Sequence, residues 1–390
     1  MIMHEIVKKE ACALQSQLVE WRRALHQIPE VGIELPKTVQ FIQERLDEMD
    51  IPYKCYDEYS CIVATIGQGE RCFLLRSDID ALPLQEATNL SFASTNGCMH
   101  ACGHDLHGTI LLGAAKLLKQ HENQLNGCVK LLFQGGEETT QGAIAMVEAG
   151  ILEQPKVDAG FAIHVNTMPL KFLSTGKEAM SSTYGFCITL KGKGGHGSMP
   201  EACIDPINAA VQVYLVFQSL IAREKSGAEE AVLTIGEFHA GEAPNILPVE
   251  AQLRGTLRTF SPALKERLVQ RMKDIVAGVA LTYRGQYDYQ TTVDCTSLIT
   301  DDAMSDLAIQ SMQKIDSDLD IHRDGHCMFS EDFAEFSQRI PCAHFMLGAG
   351  PEDETKRYGL HDPRIEFNED ALSLGVAIYT QVAIDYLQKK

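Results

Sequence analysis

Between about Ser182 and Thr292 the order of elements constrains the fold more than anything else in the chain. Alternating apolar residues predict strands over 184–191, 231–238, 249–259 and 286–291. Apolar residues recurring every three or four positions predict helices over 206–223 and 263–281. The order βαββαβ is that of a ferredoxin-like unit. Its edges fall where the surrounding pattern changes, so it reads as a small domain inserted into a larger one.

The flanking sequence alternates helix and strand in the manner of an α/β sheet covered on both faces. Val7, Ala11, Leu14, Leu18, Trp21 and Leu25 predict one amphipathic opening helix that stops near Ile28-Pro29. A second helix is expected over 37–49, strands over 61–66 and 72–75, and a buried helix over 110–118. A strand over 129–133, a helix over 142–148 and a strand over 159–163 follow. After the insertion a strand over 341–347 and a closing helix over 369–386 resume the pattern. With 390 residues the chain is long for one core. The expected division is a first domain in two parts, 1–181 and 294–390, around an inserted domain at 182–293.

Lys+Arg 34 against Asp+Glu 53 gives a net charge of -19, which argues against nucleic acid or an anionic membrane as partner. No apolar run reaches the length of a membrane span. The N-terminal residues lack the basic and apolar regions of a signal peptide. The 12 cysteines are scattered, most inside apolar runs, without the spacing of a disulfide scaffold. A reducing cytoplasm is the expected setting.

The chemistry concentrates in Cys98-Met99-His100-Ala101-Cys102-Gly103-His104-Asp105-Leu106-His107. Thiolate and imidazole are the ligands that borderline-soft divalent metals prefer. In open α/β sheets such sites gather at the carboxyl ends of strands. Asp78 and Asp80, Glu137 and Glu138, and His164 all follow or end predicted strands. One member of the acidic pair can ligate metal while the other serves as general base and acid. Each feature also has a plainer reading. Two glutamates suit a solvated helix start, and His164 could be a satisfied core histidine. His4, His121, His239, His322 and His344 read as surface or core residues. Cys98 and Cys102 lack the Cys-x-x-Cys spacing of a redox couple, and a second Cys-rich pair for structural zinc is missing.

On these motifs the chain resembles the M20 metallopeptidase/amidohydrolase family, in the branch of N-acyl-amino-acid deacylases, hippurate hydrolases and N-acetyldiaminopimelate deacetylases. The resemblance rests on Arg76-Ser77-Asp78-Ile79-Asp80-Ala81-Leu82-Pro83, Cys102-Gly103-His104-Asp105-Leu106-His107 and Phe133-Gln134-Gly135-Gly136-Glu137-Glu138. It continues through Gly192-Lys193-Gly194-Gly195-His196-Gly197, Pro244-Asn245-Ile246-Leu247-Pro248, Ser330-Glu331-Asp332-Phe333 and Leu360-His361-Asp362-Pro363. It implies a zinc-exopeptidase-type catalytic domain carrying two divalent ions (zinc, or manganese, cobalt or nickel). Their ligands would be Cys102, His104, Glu138, His164 and His361, with Glu137 as the base. Asp78 and Asp80 would orient those ligands. The inserted domain would act as a lid and dimerisation domain, with His196 helping the oxyanion and Asn245 and Arg258 holding substrate. The implied partners are an N-acyl amino acid and a second copy of the chain. The implied reaction is hydrolysis of that amide, with dipeptide cleavage or a catalytically silent metal binder as rivals. Gly135-Gly136 and Thr139 depart from the branch's usual Pro-Ala and Gly, which puts substrate choice in doubt.

Overall fold

A computed structural model describes residues 2–389. The chain divides into two compact units, one of residues 1–179, 299–326 and 332–390, the other of 180–298 and 327–331.

The first unit is built on an eight-stranded mixed sheet. Its early strands are β1 (Tyr53–Tyr56), β2 (Cys61–Gln68), β3 (Cys72–Asp78), β4 (Gly127–Gln134), β5 (Ala159–Asn166) and β6 (Phe172–Ser174). The spatial order is β1-β2-β4-β3-β5, then Cys342–Gly348, β6 and Asp320–His322. β3 is parallel to both β4 and β5, and Cys342–Gly348 is parallel to β5. The carboxyl ends of these four strands therefore lie along one edge. β3 and β4 are buried at every position, as strands covered on both faces must be. The one cation inside β4, Lys130, is satisfied by the carbonyls of Ile151, Glu153 and Pro155 at 2.6, 2.7 and 2.8 Å.

Helices α1 (Met3–Ala13), α2 (Gln15–His26), α3 (Pro36–Glu48), α4 (His104–Gln120) and α5 (Gly142–Glu148) join the closing helix Ala371–Gln388 around this sheet. Val7, Leu18, Ile110, Leu111, Phe133, Phe161, Val376 and Tyr379 belong to one apolar core. The opening helix expected from periodicity is two. At Leu14 the amide donates to the carbonyls of both Glu10 and Ala11, a tightened turn that separates α1 from α2. The apolar face continues across it, so the pattern carries no trace of the break. The helix Asp302–Ile315 was not foreseen. No described helix is long and apolar enough to cross a membrane.

The second unit holds the strands Thr183–Lys191, Ala231–Ala240, Glu250–Thr259 and Gln286–Cys295. Numbered along the chain, they stand in the order 2-3-1-4, with every neighbour antiparallel. This is the ferredoxin-like arrangement. Helices Pro206–Arg223 and Pro262–Thr282 open on Asp205 and Ser261, whose side chains accept from backbone amides of the first turn. Each cap is followed by proline at the first helical position, where its missing N–H costs nothing. Tyr184, Phe186, Ile188 and Leu190 alternate inward from the central strand onto these helices.

Candidate metal centre

The strand edge of the first unit gathers the acidic and imidazole groups. Asp78 is the last residue of β3, Asp80 lies just past it, and Glu137 and Glu138 occupy the turn after β4. His164 sits inside β5 rather than at its end. Cys102 and His104 flank Gly103, and His104 opens α4. All of these are buried except Glu138, which is partly so.

The turn at Gly103 requires glycine. Its φ is +85°, and a Cβ there would lie 2.3 Å from Val165 Cγ2 and 3.2 Å from Phe367. Gly103→Ala combines a left-handed backbone with overpacking, so it should cost roughly 2 to 5 kcal/mol. Chemical denaturation of the metal-free protein would measure this, and a loss under 1 kcal/mol would contradict it.

His361 comes from a distant loop. Its amide donates to the Ala101 carbonyl at 3.0 Å, which seats it beside Cys102. Its φ of +67° is uncommon for a residue with a side chain and turns the ring toward Glu138. His361 Nε2 is 3.4 Å from Glu138 Oε1, and Cys102 Sγ is 3.3 Å from His164 Nε2. Cys102, Glu138 and His361 each offer a ligand atom within 4.8 Å of the others, as do His104, Glu137 and Glu138. The structure thus brings the sequence candidates of the first unit into one cluster.

The electrostatics of the cluster favour a cation. Burial pushes the Cys102 thiol up to about 12, and the neighbouring His104 ring offsets only part of that rise. Burial also opposes protonation of His104, but Asp78 and Cys102 outweigh it and draw positive charge to the ring. His104 Nδ1 donates to the Asp80 carbonyl at 2.9 Å, while its buried Nε2 has no hydrogen-bond partner. An orphaned imidazole nitrogen among a thiol and carboxylates is the donor set of a transition-metal site. The residues fit the metal that the sequence implies.

Asp78 is suited to support rather than ligation. Arg76 Nη1 donates to its Oδ2 at 2.7 Å, and His107 Nδ1 donates to its Oδ1. Burial works against the Asp78 charge, yet His104, Arg76 and His107 hold its carboxyl well below the usual range. The tautomer of His107 follows, because its Nε2 accepts the Val165 amide at 2.8 Å. Asp80 Oδ2 accepts the Glu138 amide at 3.1 Å and so fixes the acidic turn.

A further network lies beneath. Arg76 also donates to Gln134 Oε1 at 3.0 Å and Asp332 Oδ1 at 2.6 Å. Asp332 accepts from Gln134 Nε2 and from the Ala143 amide at the start of α5. Sequence reasoning assigned Arg76 and Asp332 no role, although both stand inside quoted motifs. A buried arginine in a strand requires a carboxylate partner, and that was the available signal.

The five histidines expected at the surface or in the core have ordinary places. His239 and His322 are exposed, His4 and His121 are partly buried, and His344 is buried in a strand. All twelve cysteines are free.

His196, Asn245 and Arg258 belong to the second unit. His196 is exposed in a two-residue strand paired with Ile246–Leu247, and its Nδ1 lies 2.8 Å from Ser198 Oγ. The Asn245 carbonyl accepts the Gly197 amide at 2.8 Å, so His196 and Asn245 share one loop pair. Arg258 is half-buried, and its Nη1 donates to Thr183 Oγ1 and the Met328 carbonyl at 2.8 and 3.0 Å.

A family model described as Peptidase family M20/M25/M40 matches residues 74–385. The chain belongs to this family. It is 36% identical over 383 residues to IAA-amino acid hydrolase ILR1-like 2 of Arabidopsis thaliana, covering 96% of this chain and 86% of that protein. It is 33% identical over 383 residues to N-acetylcysteine deacetylase of Bacillus subtilis (strain 168), covering 96% and 98%. Among solved structures, the Bacillus subtilis YXEP protein, described as a dinuclear metal binding peptidase from the M20 family, matches with a TM-score of 0.82. The identity there is 29%, over 97% of this chain and 99% of that one.

The departure of this M20 chain at Gly135-Gly136 has a packing explanation. A Cβ on Gly135 would lie 2.7 Å from the Tyr59 carbonyl and 2.9 Å from Leu35, and one on Gly136 would lie 2.7 Å from Ile33. Gly136 also has a φ of +74°. The pair packs against Tyr59, Leu35 and Ile33, where any larger side chain would clash.

Proposed function

We propose that this chain is a metal-dependent amidohydrolase that cleaves N-acyl L-amino acids to a carboxylate and a free amino acid. The observation that carries the reading is the convergence of Cys102, His104, Glu138 and His361 beside Glu137. Cys102, His104, Glu138, His164 and His361 would hold two divalent ions, zinc or else manganese, cobalt or nickel. Such ions, when bound, polarise the amide carbonyl and make water a stronger acid.

The rest of the chemistry belongs to the protein's own side chains. Glu137 takes a proton from the attacking water at a carboxylate oxygen and delivers it to the leaving amine nitrogen, so the C–N bond breaks without expelling an anion. Asp80 holds the Glu138 amide and the His104 ring, which keeps the acidic turn fixed while Glu137 changes protonation. Arg258 is assigned to the carboxylate of the substrate. Among the described residues no carboxylate pairs with it, and its partners are neutral oxygens, so a half-buried guanidinium is left to attract an anion. His196 and Asn245 keep the roles that the family resemblance implies, at the oxyanion and the substrate.

A second copy of the chain is the proposed partner. The helix Pro206–Arg223 exposes Val211, Tyr214, Leu215 and Val216, with Leu215 52% exposed, beside the edge strand Ala231–Ala240. An apolar helix face next to an unpaired strand edge suits burial against a like surface. The cytoplasm is the proposed compartment, on the strength of the free thiols and a thiol among the metal ligands.

Peptide-bond cleavage is the second reading, favoured by the solved relative described as a peptidase. A panel of N-acetyl, N-benzoyl and indoleacetyl amino acids against dipeptides, assayed by release of free amino acid, separates the two. The expected outcome is kcat/KM at least tenfold higher on an acyl amino acid than on any dipeptide. The reverse order would replace the reading.

A further inference from the structure

His26 closes α2 and is buried, yet it lies far in sequence from every candidate ligand. Each ring nitrogen faces a carboxylate. Nδ1 is 2.8 Å from Asp105 Oδ2, and Nε2 is 3.2 Å from Glu86 Oε2. A nitrogen facing an ionised oxygen must donate, so a ring between two carboxylates is held as an imidazolium. Burial opposes that charge, and Asp105 and Glu86 outweigh it.

The two carboxylates belong to different segments, one that carries a ligand and one that is bonded to a segment that does. Asp105 directly follows His104 in the first turn of α4, and Arg22 Nε stands 2.8 Å from the same Asp105 oxygen. Glu86 lies in the loop after β3, and its carboxylate also accepts from the Ser94 amide and the Thr88 hydroxyl. The next amide, Ala87, donates to the Pro363 carbonyl at 2.8 Å, two residues after His361. One cation thus stands between the turn that carries Cys102 and His104 and the loop that carries His361. Phe92 packs against the ring in a T-shaped pair, with centroids 5.5 Å apart.

We propose that His26 is a positioning residue for the metal centre, joining the Cys102–His104 turn through Asp105 to the His361 loop through Glu86. This rests on the metal-centre reading above. Without the imidazolium Asp105 keeps only Arg22 and Glu86 loses its charged partner, so the two buried carboxylates are no longer held together and one segment can move away. Because the bonds run through a helix end, the constraint is rigid, as orientation of ligands requires.

The test measures cobalt(II) affinity of the full-length protein by competition with a chromophoric chelator, with the cobalt absorption spectrum as second readout. The variants are His26→Gln and Glu86→Gln, with Leu18→Ala as control. Leu18 is fully buried on α2 in the apolar core, so its truncation destabilises the same helix without touching the network. His26→Gln should weaken cobalt binding by about 10- to 100-fold and alter the ligand-field bands. Glu86→Gln should do so in the same direction and less. Leu18→Ala should lower Tm with affinity and spectrum unchanged. If His26→Gln does not fold, Glu86→Gln decides alone. Wild-type affinity and spectrum in the folded variants, or losses matched by Leu18→Ala, would overturn the proposal. Wild-type protein that takes up no cobalt would overturn the metal-centre reading and this inference with it.

Discussion

Glu137→Gln should lower kcat by about 10²- to 10⁴-fold while metal content and fold stay as they are, the span expected for one general acid–base group. A thousandfold loss corresponds to about 4 kcal/mol of activation free energy. The substitution keeps shape and polarity but removes the ability to accept a proton. The turn that carries it is held by bonds of its own backbone amides. The Thr140 amide donates to the Glu137 carbonyl at 2.8 Å, the Gln141 amide to Gly136 at 3.0 Å, and the Glu138 amide to Asp80 at 3.1 Å. The neighbouring Glu138 ligand should therefore stay in place. KM should change little, because the proton moves in the transition state and not in binding. Elemental analysis, Tm and steady-state kinetics on the same preparation check all three statements. Activity within tenfold of wild type would remove Glu137 from the mechanism.

The ferredoxin-like unit was legible in the sequence because alternation along Tyr184, Phe186, Ile188 and Leu190 and the order of its elements are local signals. The helix Asp302–Ile315 has an apolar face of its own but lies outside the α/β alternation seen in the sequence. Asp301 accepts the Met304 amide at 2.9 Å, and Met304, Leu307, Ala308, Met312 and Ile315 face inward. The candidate ligands and the supporting Asp78 and Asp80 were legible as residue types and motifs, but the deeper supports were not. Arg76 meets Asp332 and His26 meets Asp105 only through the fold, across separations that no spacing rule reaches. His26 follows Arg22 by four residues on the buried face of α2, so the pair shares one side of the helix. That spacing announces a buried charged pair without saying what it serves. Gly135-Gly136 departs from the family pattern where the packing leaves no room for a Cβ, a constraint that only the fold reveals.

Cys102→Ser should remove about one metal equivalent per chain and most of the activity with it, since a neutral hydroxyl is a far poorer ligand than a thiolate. The exchange is nearly isosteric at a buried position, so the fold should survive. Its diagnostic consequence lies in pH. Burial raises the Cys102 thiol to about 12, so near neutrality the metal-free protein carries the proton and must release it when an ion binds. Wild-type affinity for zinc should accordingly rise with pH between about 6 and 8, more steeply than that of the variant by about one proton per ion, because serine has no proton to give in that range. Calorimetric titration in buffers of different ionisation enthalpy counts the released protons directly. Unchanged stoichiometry together with an unchanged proton count would exclude the thiolate from the ligand set and leave Glu138, His104, His164 and His361 to hold the metal without sulfur.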